Sequence, residues 1–211
     1  MSDLTFYLPS TGAAPHDCAY SATWQNTDYA AHFPALTTKG TSAMAGRTPY
    51  RPNGQTYGCG GQWVSAALSA RSWTTADTFD VVMCFRDDDT VACTSYLIIR
   101  IFNAAGDTVV GTLYAGEFNA TVWTTTYTSR HADGVAVQNN VDCPEGGHIV
   151  IEIGMKSTYA ATFSERMVVG ENGAGAAALP LNDTETDTEK YPWLAFTYGA
   201  PAAANVVMNI I

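Results

Sequence analysis

Two short stretches of this chain alternate apolar and polar residues with a period of two, and that constrains the fold more than any other feature. In Thr78-Phe-Asp-Val-Val-Met-Cys-Phe-Arg86, residues Phe79, Val81, Met83 and Phe85 fall on one side, with Asp80 and Arg86 on the other. In the segment 148–155, Ile149, Ile151, Ile153 and Met155 share one side, with His148 and Glu152 predicted to face outward. A period of two puts one face of a strand into a core and cannot be laid on a helix. The segment 96–102 is apolar on both sides apart from Arg100, which predicts an interior strand covered on two faces. Further short strands are predicted at 107–115, 121–127, 135–141, 162–170 and 191–198, each bounded by turn formers. No segment carries a capped helical stripe. The pattern predicts an all-β, antiparallel β-sandwich of jelly-roll-like type.

The beginning of the chain reads differently. Pro9, Pro15, Pro34, Pro49 and Pro52 interrupt it, and no sustained apolar period survives between Leu8 and Trp63. Residues 1–60 are therefore expected to form an extended N-terminal arm with long loops, ahead of a sandwich domain at 61–199. Trp24, Tyr29, Phe33, Tyr50 and Tyr57 are too many aromatics for a solvated linker, so the arm should pack on its own domain or on a neighbour. Residues 200–211 read as a linker followed by an apolar strand, Asn205-Val-Val-Met-Asn-Ile-Ile211. Such a strand needs a sheet edge, in its own fold or in another chain. Candidate interface residues are Trp24, Phe33, Tyr50, Tyr57, Val206, Val207, Met208, Ile210 and Ile211.

Charge narrows the partners. With a net charge of −10 and only 10 lysines and arginines, the chain lacks the basic patch that releases counterions from a phosphate backbone, so neither nucleic acid nor an anionic membrane is expected as a direct partner. No secretory leader and no apolar run of membrane-spanning length is visible, and the expectation is a soluble chain made in the cytosol. The 5 cysteines form an odd set without a C-x-x-C pair, which speaks for free, buried thiols. Cys84 and Cys93 flank an Asp-rich turn and could meet across a hairpin, but a bridge is not expected.

Glu185-x-Asp187-x-Glu189 has the spacing of the catalytic strand in laminarinase-type glycoside hydrolases, where alternate carboxylates on one face serve as nucleophile and acid. Here the intervening residues are Thr184, Thr186 and Thr188, so the strand would have no buried face to hold the acids at catalytic separation. An exposed acidic loop is the better reading. Asp87-Asp-Asp89 lacks the glycine-punctuated loop that wraps calcium, and His16, His32, His131 and His148 show no paired metal-ligand spacing. Neither a G-x-S-x-G elbow nor a phosphate-binding glycine loop occurs. No catalytic residue, metal ligand or cofactor is therefore expected. Trp63, Trp73, Trp123 and Trp193 lie on or beside predicted strands and would suit a glycan platform if their rings faced outward.

Several stretches together resemble a known group. They are Phe6-Tyr-Leu-Pro-Ser-Thr-Gly-Ala-Ala-Pro15 with Trp24 after it, Gln62-Trp-Val-Ser, Val109-Val-Gly-Thr-Leu113, His148-Ile-Val-Ile-Glu-Ile-Gly154, and Leu179-Pro-Leu-Asn-Asp-Thr-Glu-Thr followed by Pro192-Trp-Leu-Ala-Phe196. They resemble the small β-sandwich structural proteins of tailed bacteriophage virions, of head-decoration or tail-accessory type, over most of the chain up to about Phe196. The resemblance implies a non-enzymatic virion component that packs against capsid or tail proteins and copies of itself. The alternative is a carbohydrate-binding module gripping host-surface glycans through exposed aromatics, and behind it a jelly-roll glycoside hydrolase using Glu185, Asp187 and Glu189.

Overall fold

The computed structural model describes residues 4–9, 12–28, 30–39, 45–47, 50–51, 56–87, 92–157, 163–164, 166–169, 177–184, 186 and 192–198. Its strands begin with β1 (Leu4–Tyr7), β2 (His32–Ala35), β3 (Ala45–Arg47), β4 (Tyr50–Arg51) and β5 (Tyr57–Ser65). Then come β6 (Arg71–Trp73), β7 (Thr78–Arg86), β8 (Cys93–Phe102), β9 (Val109–Asn119) and β10 (Thr128–Ala136). The last are β11 (Val141–Cys143), β12 (His148–Ser157), β13 (Phe163–Ser164), β14 (Arg166–Val169) and β15 (Trp193–Thr197).

Two sheets make the sandwich. One is six-stranded and centred on β7, which pairs with β10 along one edge and with β15 and then β14 along the other, while β1 and β3 extend it outward. The second is five-stranded, in the order β2-β5-β12-β8-β9, antiparallel except for the β2–β5 pair. The chain crosses between sheets from β7 to β8, from β9 to β10 and from β12 to β14, giving the jelly-roll-like character. The core lies between them: Phe79, Val81, Met83 and Phe85 of β7 meet Leu97, Ile99 and Ile101 of β8 and Ile149, Ile151, Ile153 and Met155 of β12 in one cluster. The period-two readings of β7 and β12 thus place their apolar faces correctly, and β8 is an interior strand as expected.

Two expectations change. The Thr-rich stretch 121–127 is a loop, although its composition favours strand. Its Trp123 plugs the sandwich, stacked on Phe85 at 4.4 Å between ring centroids, with its Nε1 donating to Ser95 Oγ at 2.9 Å. That burial outweighs strand propensity. The strand in this region is β10 instead, whose polar run Ser129-Arg-His-Ala-Asp-Gly134 is held by pairing to β7. Asp133-Gly134 takes up a register shift inside β10, with Gly134 at φ 60°. Cys84 and Cys93 belong to different sheets, and all 5 thiols are free and buried, as the odd cysteine count suggests.

The start of the chain is woven into the sandwich. β1 pairs antiparallel with β15, β2 pairs parallel with β5, and Tyr7 bridges to Leu36. Between β1 and β2 the segments 14–28 and 30–31 lie across the outer face of the five-stranded sheet as a strap, adding a third layer there. Cys18 and Ala14 pack on Val64, Phe102 and Val150, while Trp24, Tyr20 and Ala30 pack on Cys59 and Ile98.

Candidate functional site

The strap covers the most concentrated buried polar group in the described structure. β12 carries Glu152 on its outer face, expected to be solvated, yet its exposure is 0%. β5 and β8 flank β12 and place Gln62 and Arg100 beside it, because Glu152 is in register with Gln62 on one side and with Ile98 on the other. The strap then closes the site from above. Glu152 accepts hydrogen bonds from Gln62 Nε2 at 2.8 Å, Trp24 Nε1 at 2.9 Å, the Ser21 backbone N–H at 3.1 Å and Arg100 Nη2 at 2.5 Å. Arg100 Nη2 also donates to the Ala19 carbonyl at 2.6 Å, and its guanidinium lies 5.0 Å from the Phe102 ring centroid.

The chain of contacts runs to the surface. Gln62 Oε1 faces His32 Nδ1 at 2.8 Å, and His32 Nε2 lies 3.0 Å from Asp17 Oδ1. Burial pushes the Cys59 thiol, which lies under the strap, well above its ordinary pKa, and pushes that of Cys18 up to about 11. Both are therefore protonated and poor nucleophiles at neutral pH. Among the described residues, Arg100 Nε and Tyr20 Oη are buried without a hydrogen-bond partner. A carboxylate holding this many donors, beneath a layer of its own chain, fastens chain to chain. In the sequence, Glu152 reads only as an outward residue and Arg100 only as an exception to an apolar run. What could have found the pair is their joint break in otherwise apolar strands.

A second acid tie lies on the other sheet. Asp183 Oδ1 accepts from the His131 backbone N–H and sits 2.8 Å from His131 Nδ1, and Asn119 Nδ2 donates to the same carboxylate at 3.1 Å. Burial alone would raise the Asp183 carboxyl, but these hydrogen bonds outweigh it and hold its pKa below the ordinary value. Asp183 thereby fixes the segment before the acidic run to β10. Glu185, Asp187 and Glu189 lie outside the described residues.

The interface candidates divide in the same way. Trp24 and Phe33 are buried inside the chain itself, Trp24 on Glu152 and Phe33 stacked on Trp63 at 5.7 Å. Tyr57 is half-buried against Tyr96, with ring centroids 4.8 Å apart. Tyr50 is in β4 but its side chain lies outside what is described, as do Val206, Val207, Met208, Ile210 and Ile211. Of the tryptophans considered as a glycan platform, Trp63, Trp73 and Trp123 are core residues, and only Trp193 is partly exposed.

No family model matches the chain, and no curated protein matches it. Among solved structures, the chain is similar to a CocE/NonD family hydrolase from Staphylococcus aureus, with a TM-score of 0.44 and 9% identity, over 94% of this chain and 35% of that one. It is also similar to the infectious bursal disease virus VP2 subviral particle protein, with a TM-score of 0.27 and 12% identity, over 80% of this chain and 41% of that one. This chain thus spans well under two thirds of the length of either protein.

Proposed function

We propose that this chain is a non-enzymatic structural component of a tailed-bacteriophage virion, a head-decoration or tail-accessory protein that works by packing against capsid or tail neighbours and copies of itself. One observation carries the reading: Glu152, the most deeply buried acid among the described residues, is saturated by donors from its own strap and sheet, so this buried polar cluster is spent on holding an N-terminal segment in place. A catalytic carboxylate needs a free lone pair aimed at a space that substrate can enter. The resemblance of the strand and turn motifs to phage β-sandwich proteins points the same way, and the net charge of −10 favours protein neighbours over phosphate-rich ones.

With Trp24 and Phe33 committed internally, docking falls to other surfaces. Val109, Val110 and Val122 are the large apolar side chains most exposed among the described residues, at 43%, 44% and 45%. Val206, Val207, Met208, Ile210 and Ile211 remain the candidates for a strand donated to a neighbour's sheet edge. The test is electron microscopy of purified phage particles decorated with antibody fragments against this chain. Regular label at one site on head or tail is the expected result; particles that carry no label while free protein accumulates in the lysate would overturn the proposal.

A further inference from the structure

The outer face of the six-stranded sheet, opposite to the core, carries a cleft of about 490 Å³ lined by β1, β7, β15 and the segment 178–181. Its floor follows from sequence. On β15, Trp193, Ala195 and Thr197 point outward in alternation, and Ala195 is the small residue between two larger ones. Register puts Thr5 of β1 on one side of Ala195 and Asp80 of β7 on the other. A residue without side-chain bulk, flanked by a hydroxyl and a carboxylate, leaves a depression across three strands. Leu179, Pro180 and Leu181 form its wall.

Trp193 makes one end of the cleft, and its position is fixed: Nε1 donates to the Leu179 carbonyl at 2.7 Å, while the ring packs beside Val82, Cys84 and Leu179. Asp80 is held by accepting the Gly134 N–H at Oδ1, 2.7 Å away. The lining therefore combines the immobilised Trp193 ring, Tyr7 opposite it in register on β1, a pinned carboxylate, the hydroxyls of Thr5 and Thr197, and an apolar wall. Sites for small ligands are clefts of roughly this size with a few fixed polar groups among apolar ones. Among the described lining residues Asp80 bears the charge, so an anionic ligand would be repelled, and two neighbouring rings with the hydroxyls of Thr5 and Thr197 suit a neutral ligand that has an apolar face and several hydroxyls.

We infer that this cleft is a binding subsite for a neutral saccharide, one pyranose ring lying on Trp193 and its hydroxyls bonded to Asp80, Thr5 and Thr197. The inference does not depend on the virion role, and a particle protein with such a site would contact host-surface glycans through this face.

The test is a titration of the full chain with neutral tetrasaccharides of glucose and of N-acetylglucosamine, followed by intrinsic tryptophan fluorescence and calorimetry, with choline and a galacturonic acid oligomer as comparison ligands. Saturable binding of at least one neutral sugar is expected. Ala195→Leu, which fills the floor without touching the core, should weaken it by about tenfold or more while leaving the melting temperature unchanged. Asp80→Asn keeps an acceptor for Gly134 and should weaken binding less. Absence of binding by every neutral sugar, preference for choline or the acidic oligomer, or equal binding by Ala195→Leu would each overturn the assignment.

Discussion

Glu152 and Arg100 form an ion pair whose side chains are 0% and 7% exposed, and its value lies in what happens when one partner is removed. Breaking such a pair leaves a buried charge uncompensated, which typically costs about 3–5 kcal/mol. Glu152→Gln should therefore lower the unfolding free energy in urea by about that amount, and so should Arg100→Met. The double variant Glu152→Met/Arg100→Met should recover part of the loss, since apolar replacement of a whole buried pair is often close to neutral. A Glu152→Gln protein with unchanged urea midpoint would show that the strap is held by other means. Gly154, two residues along the same strand, is constrained by close approach: a Cβ there would sit 2.1 Å from the Gly58 carbonyl oxygen, at the register shift between β12 and β5. Gly154→Ala should destabilise by about 1–3 kcal/mol, or more if the bulge cannot widen, measured in the same way.

At the level of elements, the tie between Asp183 and β10 predicts a pH response. Its folded-state pKa is depressed, so the attachment is at full strength above the ordinary carboxylate range near ~4 and is lost as pH falls through the depressed value. Amide exchange at His131, whose N–H donates to Asp183, should accelerate as pH drops below about 4, beyond the intrinsic pH effect, and Asp183→Asn should remove that dependence. Elements whose stability comes from a repeating apolar face were readable from sequence: β7 and β12 were found almost to the residue, because alternation and burial agree there. β10 is illegible in the sequence over all but Val135 and Ala136, because Ser129, Arg130 and His131 bear no apolar alternation; their strand geometry is imposed by a partner 45 or more residues earlier, as in the His131–Val82 pair. The Glu152 site was illegible for a related reason. A polar residue facing away from a core is solvated unless another part of the chain covers it, and the strap that does so lacks any regular period.

The molecule as a whole is a sandwich that incorporates its own N-terminal segment and keeps its thiols inside. All 5 cysteines are buried, so the native protein should react with a thiol reagent such as Ellman's at close to zero equivalents over minutes, and at about 5 in guanidinium chloride. Rapid native reaction at Cys18 or Cys59 would mean the strap opens readily. In the proposed virion role, deleting residues 205–211 should leave thermal unfolding unchanged while lowering incorporation into particles; normal occupancy by the truncated chain would assign docking to other surfaces. Residues 14–28 and 30–31 form a layer of the sandwich and not a free arm, and this depends on the whole fold. Hydrogen–deuterium exchange of the purified full chain, followed by mass spectrometry of peptides covering 18–36, measures it directly. Clear protection of these amides is expected, since the Gln25, Ala30 and Leu36 N–H groups donate to the Tyr57, Thr27 and Tyr7 carbonyls and the Ser21 N–H donates to the buried Glu152. Complete exchange of those peptides within seconds would contradict it.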